Sequence, residues 1–473
     1  MTDDDAVDVI VVGGGLAGHA AMLAAAEAGA SVLMIEKEGA VGGSTLLSGG
    51  FMAFAGTREQ AAAGIADDEA LLLDDLRTVA GPDADDALLT TYASRQRALY
   101  DWLVERGVVF SAVELSAGQS APRSHRTDTD ALLACLADTA AATGRIRRLL
   151  DTPARRLLTD TEGRVEGILV STQNGERAIT ARRGVILTTG GFSRSETLLR
   201  TYAPNQAAAL RIGGAGNTGD GLRMAMKCGA DLRDMGQIRG TFGTHPTTGP
   251  DAHKVVLAFY LGAIIVNRDG ARFVAESASY KQLGDACLQQ PGALGFQIWD
   301  AGIAARSQPG VPLFDLDIPE REGLLLKADS LAGLAALCGV PAETLEESVR
   351  AYNYGIAGGA DPLGRDGLCH GTGECLPLTE PPFYAYPSTS VVLATYCGVR
   401  IDESARVIDV FGDPIPGLYA AGEMTGGFHG QSYMTGTSLG KAALFGRIAG
   451  ERAAVSNDQR QDAMTKERKT HGG

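Results

Sequence analysis

The sequence lacks several features that mark whole classes of protein. It contains no run of about 18 apolar residues, so no membrane-spanning helix is predicted. Its first residues, Met1–Asp5, are acidic and lack the basic and apolar stretches of a secretory signal. Positive charge is scarce, with 42 Lys and Arg against 57 Asp and Glu and a net charge of -15. This charge argues against nucleic acid and against an anionic membrane surface as partners.

Cysteine is also used sparingly. The 7 cysteines are odd in number and scattered along the chain, which is typical of proteins in a reducing cytoplasm. Cys369–Cys375 combines two cysteines with a histidine and a glutamate, but it is a Gly-rich stretch without a second cysteine pair. We therefore expect a cytoplasmic protein without a metal site.

Glycine, in contrast, is abundant, at 62 of 473 residues and without a Gly-X-Y period. Gly13–Gly18 fits the pattern G-x-G-x-x-G and lies between a β-branched run, Asp8–Val12, and an Ala-rich segment typical of a helix. Glu36 ends the next predicted strand, where a carboxylate can accept a hydrogen bond from a ribose hydroxyl. This β-α-β opening predicts a Rossmann-type dinucleotide site and an α/β fold.

Later motifs favour FAD over NAD. Gly42–Thr45 and Ser48–Gly50 extend the Gly-rich path, as a long flavin cofactor requires. Gly417–Glu423 closes a strand on a glycine and an acid, a pattern similar to the second FAD motif, in which the acid meets the ribityl chain. Ser438 and Leu439 open the last predicted helix, whose amides could stabilise negative charge on the reduced flavin. No second G-x-G-x-x-G follows a strand, so we expect no built-in NAD(P)H site.

With these motifs the chain resembles the fumarate reductase/succinate dehydrogenase flavoprotein superfamily over nearly its whole length. The other strings that carry the resemblance are Thr188–Phe192, Gly216–Gly221, His245–Thr247, Gly262–Asn267 and Gly270–Phe273. The resemblance implies FAD, a discontinuous FAD-binding domain and an inserted α+β cap/catalytic domain. It implies non-covalent attachment, because members with covalent FAD carry a His where this chain has Gly43–Thr45.

The motifs and the resemblance together predict a set of residues that bind the cofactor. They are Gly13, Gly15, Leu16, Ala17, Gly18, Glu36, Lys37, Gly43, Ser44, Thr45, Gly49, Gly50, Thr189, Gly190, Asn217, Asp220, Gly422, Glu423, Ser438 and Leu439. The predicted domains are the two parts of the FAD-binding domain at 1–238 and 387–456, the cap/catalytic domain at 239–386 and a tail at 457–473.

The chain departs from the fumarate reductases where those enzymes handle a dicarboxylate. The resemblance places their two arginines and a histidine at Tyr280, Tyr433 and Ala394 of this sequence. An arginine pair grips a dianion through charged donors, whereas a phenol donates to a ketone oxygen or, once deprotonated, takes a proton. The exchange therefore favours a carbonyl compound as substrate.

The 3-ketosteroid dehydrogenase branch of the superfamily resembles this pattern. Its enzymes place one tyrosine after an Arg-Phe-x-x-Glu string, matched by Tyr280, and another before a glycine ahead of the last helix, matched by Tyr433 and Gly436. The interval from Tyr433 to Gly436 is one residue shorter than in the Δ1 enzymes. Thr435 stands where a Δ4 branch carries a serine.

We predict an FAD-dependent dehydrogenase that introduces a C=C bond next to the carbonyl of a cyclic ketone, either an oxocyclohexane carboxylate or a 3-oxosteroid. Tyr433 with the Gly436 amide, or with the Thr435 hydroxyl, would bind the ketone oxygen. Tyr280 would take the α-proton, and flavin N5 would take the β-hydride. Fumarate or enoate reduction is the first alternative, and a flavin-binding redox carrier or sensor is the second. Oxygen, a quinone or a carrier protein remain open as electron acceptor.

Overall fold

The computed structural model describes residues 6–238, 240–250, 252, 254–311, 313–368 and 373–455. The acidic start, the tail at 457–473 and most of the Cys369–Cys375 stretch lie outside the described residues. The chain divides into two compact units. The first contains the residues up to Leu198, Gly213–Ile238 and the residues from Ala394 onward, and the second contains Leu199–Ile212 and Arg239–Leu393.

The first unit is built on an eight-stranded sheet. Its strands are β1 (Ala6–Val12), β2 (Val32–Ile35), β6 (Ile146–Leu149), β7 (Ala154–Thr159), β8 (Val165–Thr172), β9 (Gly175–Leu187), β18 (Arg406–Ile408) and β19 (Pro414–Ala420). The order β19-β9-β1-β2-β6 is parallel throughout, while β7, β8 and β18 pair in antiparallel fashion. Strand β2 is buried along its whole length, as its unbroken apolar sequence predicts for a central parallel strand.

Two smaller sheets complete the strands of this unit. They consist of β3 (Phe51–Ala53), β4 (Ala112–Glu114) and β5 (Ser124–Arg126), and of β11 (Leu232–Arg233) and β17 (Gly398–Val399).

Helices surround these sheets, and α1 packs along α13. The helices are α1 (Leu16–Glu27), α2 (Arg58–Ala62), α3 (Glu69–Ala80), α4 (Asp86–Glu105), α5 (Thr129–Ala142), α7 (Asp220–Lys227) and α13 (Thr437–Val455). The helix α6 (Glu196–Tyr202) begins in the first unit and ends in the second. Almost all of α1 is buried, because its alanines and glycine let neighbouring backbones approach closely. The predicted α/β class with a Rossmann-type β-α-β opening is confirmed.

The second unit has a six-stranded sheet with β16 at its centre. The strands are β10 (Leu210–Arg211), β12 (Thr241–Thr244), β13 (Ile264–Val266), β14 (Gly295–Trp299), β15 (Leu326–Ala328) and β16 (Phe383–Val392). The helices are α8 (Tyr280–Leu288), α9 (Ala301–Ala304), α10 (Asp317–Arg321), α11 (Leu331–Cys338) and α12 (Ala342–Ile356). Trp299, Tyr352 and Tyr386 lie in its core.

The bounds of this unit differ from 239–386 in two places. Leu199–Ile212 belongs to it, since β10 pairs with β16, and it continues to Leu393 because β16 runs on to Val392. Its role as a cap/catalytic domain stays a prediction. Among the described residues, no helix combines the length and the apolar character needed to cross a membrane.

Candidate functional site

The turn between β1 and α1 has the shape that a pyrophosphate needs. Gly13 has φ of +111°, and a Cβ there would collide with the Thr188 carbonyl. A Cβ on Gly18 would collide with the Gly13 carbonyl oxygen, so α1 can lie against the turn only because Gly18 has none. Gly15 is the N-cap of α1 and offers no side chain to its amides. This end of the helix therefore fits the phosphates of a dinucleotide.

Glu36 and Lys37 follow β2 at the same edge of the sheet. Glu36 Oε2 accepts a hydrogen bond from the Gly14 amide at 2.8 Å. Lys37 Nζ lies 2.6 Å from both Thr218 Oγ1 and Asp220 Oδ2. The structure thus brings the predicted residues Lys37 and Asp220 together as an ion pair, and their contacts with the cofactor stay predictions.

The loop Gly43–Thr45 forms a short 3-10 turn that joins several predicted residues. Ser44 Oγ accepts hydrogen bonds from the Gly214 amide at 3.1 Å and from Asn217 Nδ2 at 3.0 Å. Thr45 Oγ1 accepts one from the Leu16 amide at 3.1 Å. These bonds tie the loop both to the start of α1 and to the Asn217 segment.

Glu423 lies directly after β19, in a buried 3-10 turn. Its Oε2 accepts from Asn217 Nδ2 at 3.2 Å, and its Oε1 accepts from the Thr395 amide at 3.0 Å. Burial raises the pKa of Glu423, while the donors Thr395 and Asn217 and the charge of Lys441 lower it. The sequence did not predict Thr395 as a partner, because nothing in its local pattern indicates a contact with an acid 28 residues away.

The remaining predicted cofactor residues also belong to the first unit. Gly49 and Gly50 precede β3, Thr189 and Gly190 follow β9, and Gly422 precedes Glu423. The first turn of α1 contains Leu16 and Ala17, and the first turn of α13 contains Ser438 and Leu439.

Lys441, in α13, is a buried cation that the sequence did not predict. Its Nζ donates to the Thr425 carbonyl oxygen at 2.6 Å and lies 5.8 Å from the centre of the Phe428 ring. Burial lowers the pKa of Lys441 to about 8, although Asp234 and Glu423 oppose the shift. A single lysine in the sequence of a helix gives no signal of such burial.

Tyr433 lies just before α13, beside the N-terminus of that helix. The Gly436 amide donates to Tyr433 Oη at 3.2 Å, and the Tyr396 ring stacks on the Tyr433 ring at 4.9 Å. The His429 ring centre lies 5.5 Å away. Burial raises the pKa of Tyr433 against the amides of Gly436 and Ser438 and the Tyr396 hydroxyl, which lower it. The phenol therefore keeps its proton at neutral pH.

Gly436 and Thr435 have backbone partners that bear on their predicted roles. The Gly436 amide is engaged with Tyr433, so it supports that phenol in this structure. The Thr435 amide donates to the Ala117 carbonyl at 3.1 Å, and the Thr435 carbonyl accepts from Gln119 Nε2 at 2.9 Å. The Thr435 hydroxyl as a ligand for a ketone stays a prediction.

Tyr280 belongs to the second unit and is the first residue of α8. Ser279 caps the helix, and its side chain and that of Gln282 form a reciprocal capping box. The ammonium group of Lys281 lies 5.5 Å from the centre of the Tyr280 ring and 3.0 Å from Thr241 Oγ1. Lys281 is a second residue that the sequence did not single out, although it is the chain neighbour of Tyr280.

The Arg-Phe-x-x-Glu string has a structural explanation in this unit. Arg272 pairs with Glu276 at 2.6 Å and with Asp361 at 2.6 Å, and Arg365 lies 3.4 Å from Glu276. Glu276 Oε1 also accepts from the Ile265 amide at 2.9 Å. Because this network is buried and each charge has a partner, it fixes the segment that leads into α8.

Comparison with known proteins identifies the cofactor. A sequence profile described as an FAD binding domain matches residues 8–439. The chain belongs to this FAD-binding family. It is therefore an FAD-dependent oxidoreductase acting on CH–CH groups, as its dehydrogenase and reductase relatives are. In the part of the chain that the structure describes, no three His, Cys, Asp or Glu side chains are grouped to hold a metal ion.

Both reductases and dehydrogenases of the superfamily are similar to this chain. A fumarate reductase (cytochrome) of Shewanella frigidimarina is 33% identical over 457 residues, 95% of this chain and 77% of that protein. A 4-oxocyclohexanecarboxylate 2-dehydrogenase of Sinomonas cyclohexanicum is 28% identical over 547 residues, 94% of this chain and 92% of that protein. The structure of a 3-ketosteroid-Δ4-(5α)-dehydrogenase from Rhodococcus jostii RHA1 matches with a TM-score of 0.75 and 29% identity, covering 95% of this chain and 97% of that one. The predicted superfamily and branch are confirmed.

Proposed function

We propose that this protein desaturates a cyclic ketone next to its carbonyl. The observation that carries the proposal is the position of the Tyr433 phenol, held at the N-terminus of α13 against the Tyr396 and His429 rings. It stands where the resemblance to fumarate reductases calls for an arginine. A protonated phenol suits a ketone oxygen better than it suits a dicarboxylate.

Tyr433 binds the ketone oxygen by donating its hydroxyl proton. The Gly436 amide, which donates to Tyr433 Oη at 3.2 Å, polarises the phenol and makes it a stronger donor. Negative charge that develops on the ketone oxygen is stabilised by these two successive hydrogen bonds, as in an oxyanion hole. Gly436 thus acts through Tyr433, and the Thr435 hydroxyl is the candidate for a second donor.

Tyr280 takes the α-proton as its phenolate. A phenol has an ordinary pKa of about 10, so its anion needs a nearby positive charge to serve as a base near neutral pH. Lys281, whose ammonium lies 5.5 Å from the Tyr280 ring, supplies that charge. The C–H electron pair at the α-carbon becomes the new C=C bond as the β-carbon releases hydride. FAD, when bound, supplies the acceptor for that hydride.

The relatives narrow the class of substrate. The Sinomonas relative, matched over 94% of this chain, is named for 4-oxocyclohexanecarboxylate, and the Rhodococcus structure holds 4-androstene-3,17-dione. We therefore propose a 4-oxocyclohexanecarboxylate-type ring as the first substrate to test and a 3-oxosteroid as the second. Oxygen, a quinone and a carrier protein remain the candidate electron acceptors.

Fumarate reduction is the second candidate function. The 33% identity with a fumarate reductase favours it. The tyrosines at positions 280 and 433 and Ala394 oppose it, because none of these side chains carries a positive charge for a dianion.

One assay separates the candidates. The FAD-loaded enzyme is mixed without oxygen with 4-oxocyclohexanecarboxylate, a 3-oxosteroid and succinate, and the flavin absorbance is followed. We expect bleaching by a cyclic ketone with formation of the α,β-unsaturated ketone, and none by succinate. Reoxidation of the reduced enzyme by fumarate, without any response to ketones, would replace the proposal with fumarate reduction.

A further inference from the structure

The turn that begins at Ala394 connects Glu423, the predicted cofactor acid, with Tyr433. In this turn, the Thr395 amide donates to Glu423 Oε1 at 3.0 Å. Three residues later, a Cβ on Gly398 would collide with the Met424 carbonyl oxygen, so the backbones lie in direct contact there. Both ends of the turn are therefore fixed to the segment that carries Glu423.

Tyr396, between these fixed ends, has an unusual backbone conformation. Its φ is +51°, in the left-handed region that residues with a Cβ rarely adopt. Such a conformation persists only where the surroundings impose it, and it occurs most often at functional sites. Here the contacts of Thr395 and Gly398 hold the two ends of the turn that contains Tyr396.

The conformation directs the Tyr396 side chain onto Tyr433. The two rings are stacked, with centroids 4.9 Å apart and an angle of 11° between their planes. The Tyr396 side chain acts with the amides of Gly436 and Ser438 to lower the pKa of Tyr433, against burial, which raises it. The His429 ring contacts both tyrosines, with centroids 4.7 Å from Tyr396 and 5.5 Å from Tyr433.

We propose that Tyr396 is a positioning residue, which fixes the ring and the hydroxyl of Tyr433 in the direction needed to donate to the ketone oxygen. The inference rests on the proposed function and extends it. The turn then has a role in the site. Because Thr395 binds Glu423 and Tyr396 contacts Tyr433, the same turn positions both the predicted cofactor acid and the proposed ketone-binding phenol. A misdirected donor loses transition-state stabilisation more than it loses substrate binding.

Two substitutions of Tyr396 separate its hydroxyl from its ring. Tyr396→Phe keeps the ring stack and removes the hydroxyl that acts on Tyr433, so we expect kcat for ketone-dependent flavin bleaching to fall about tenfold. Tyr396→Leu also removes the stack, and we expect a fall of about a hundredfold. In both, KM should change by less than about threefold and FAD content should equal that of the wild type, because the substrate contact itself is retained.

Controls keep this test separate from the test of the function. Tyr354→Phe alters an exposed tyrosine of α12 and should leave kcat unchanged. Tyr433→Phe should abolish most turnover. If both Tyr396 variants turn over at the wild-type kcat while Tyr433→Phe is impaired, the role of Tyr396 is overturned and the proposed function stands. If Tyr433→Phe keeps the wild-type kcat, the proposed function fails together with this inference.

Tyr396→Phe also distinguishes a positioning role from a packing role, because the variant retains the ring. A residue with only a packing role would tolerate Tyr396→Phe without any change in kcat, since the ring is retained. A fall in kcat at constant KM and constant FAD content in that variant supports positioning by the hydroxyl. A rise in KM with loss of FAD in both variants would contradict it.

Discussion

Tyr433 and Tyr280, one in each unit, have contrasting surroundings. Tyr433, in the first unit, is stacked on another phenol and accepts a hydrogen bond from a helix N-terminal amide. Tyr280, in the second unit, begins α8 and has the ammonium group of Lys281 beside its ring. Burial favours a neutral phenol, whereas a nearby cation favours a phenolate.

The contrast shows how a protein can assign an acid role and a base role to one residue type. Enzymes separate such roles by environment more than by side-chain chemistry. In our proposal Tyr433 is the donor and Tyr280 is the base, and each assignment follows from the neighbours of the ring. The sequence predicts both tyrosines as site residues, but only the structure shows which groups lie beside each ring.

Removal of the proposed base should have the largest effect. In Tyr280→Phe the phenolate is lost and the α-proton has no acceptor, so we expect turnover of the cyclic ketone to fall by about 10³-fold. Stopped-flow bleaching of the FAD-loaded enzyme measures this. Tyr354→Phe, in an exposed position of the same unit, is the matched control. Wild-type turnover in Tyr280→Phe would exclude this residue as the base.

Removal of the proposed donor should have the next largest effect. In Tyr433→Phe the ketone oxygen loses its polarising hydroxyl, and we expect turnover to fall by about 10²-fold with FAD still bound. The same bleaching assay checks this, together with the FAD-to-protein ratio. A variant that loses only FAD would indicate that Tyr433 stabilises the fold of the cofactor site instead.

The charge beside Tyr280 should set the pH dependence of turnover. In Lys281→Met the phenolate becomes harder to form, so turnover at neutral pH should fall about tenfold and the acid limb of the rate profile should move to higher pH. Lys327→Met is the matched control, because Lys327 lies 5.2 Å from the ring of Tyr384 elsewhere in the same unit. Identical pH profiles for Lys281→Met and the wild type would break the contrast between the two tyrosines.

Lys441, a buried cation of the first unit, should make the stability of the protein depend on pH. Lys441 has a folded pKa of about 8 against an ordinary value of 10.5, so the unfolded chain binds its proton more tightly. The free energy of unfolding should therefore rise between about pH 8 and pH 10, by at most about 1.4 kcal/mol per pH unit. Lys441→Met should flatten this dependence, whereas Lys227→Met, at an exposed site, should leave it unchanged. Denaturant unfolding at several pH values measures both.

The sequence could predict the features that depend on residues close together in the chain. The turn at Gly13–Gly18, Glu36 after β2 and Glu423 after β19 lie where the motifs indicate, because each motif is one strand and the turn that follows it. The ion pair of Lys37 with Asp220 could not be predicted, since it joins residues 183 positions apart.

The rest depends on tertiary contacts that leave no local pattern. Tyr396 has a φ of +51°, and it lies between Thr395, which contacts Glu423, and Gly398, which contacts Met424; none of these contacts has a local sequence pattern. The segment Leu199–Ile212 reads as part of the first domain until β10 pairs with β16, some 180 residues later. The Gly436 amide donates to Tyr433 Oη, a contact that the sequence does not indicate, and its direct contact with a ketone stays a prediction.

Exchange of the α-hydrogen tests the opposite roles of the two phenols most directly. The FAD-loaded enzyme is incubated without oxygen in D2O with a cyclic ketone, and deuterium at the α-carbon is followed by NMR. We predict incorporation by the wild type and its loss in Tyr280→Phe while ketone binding is retained. Incorporation by Tyr280→Phe at the wild-type rate would contradict the account.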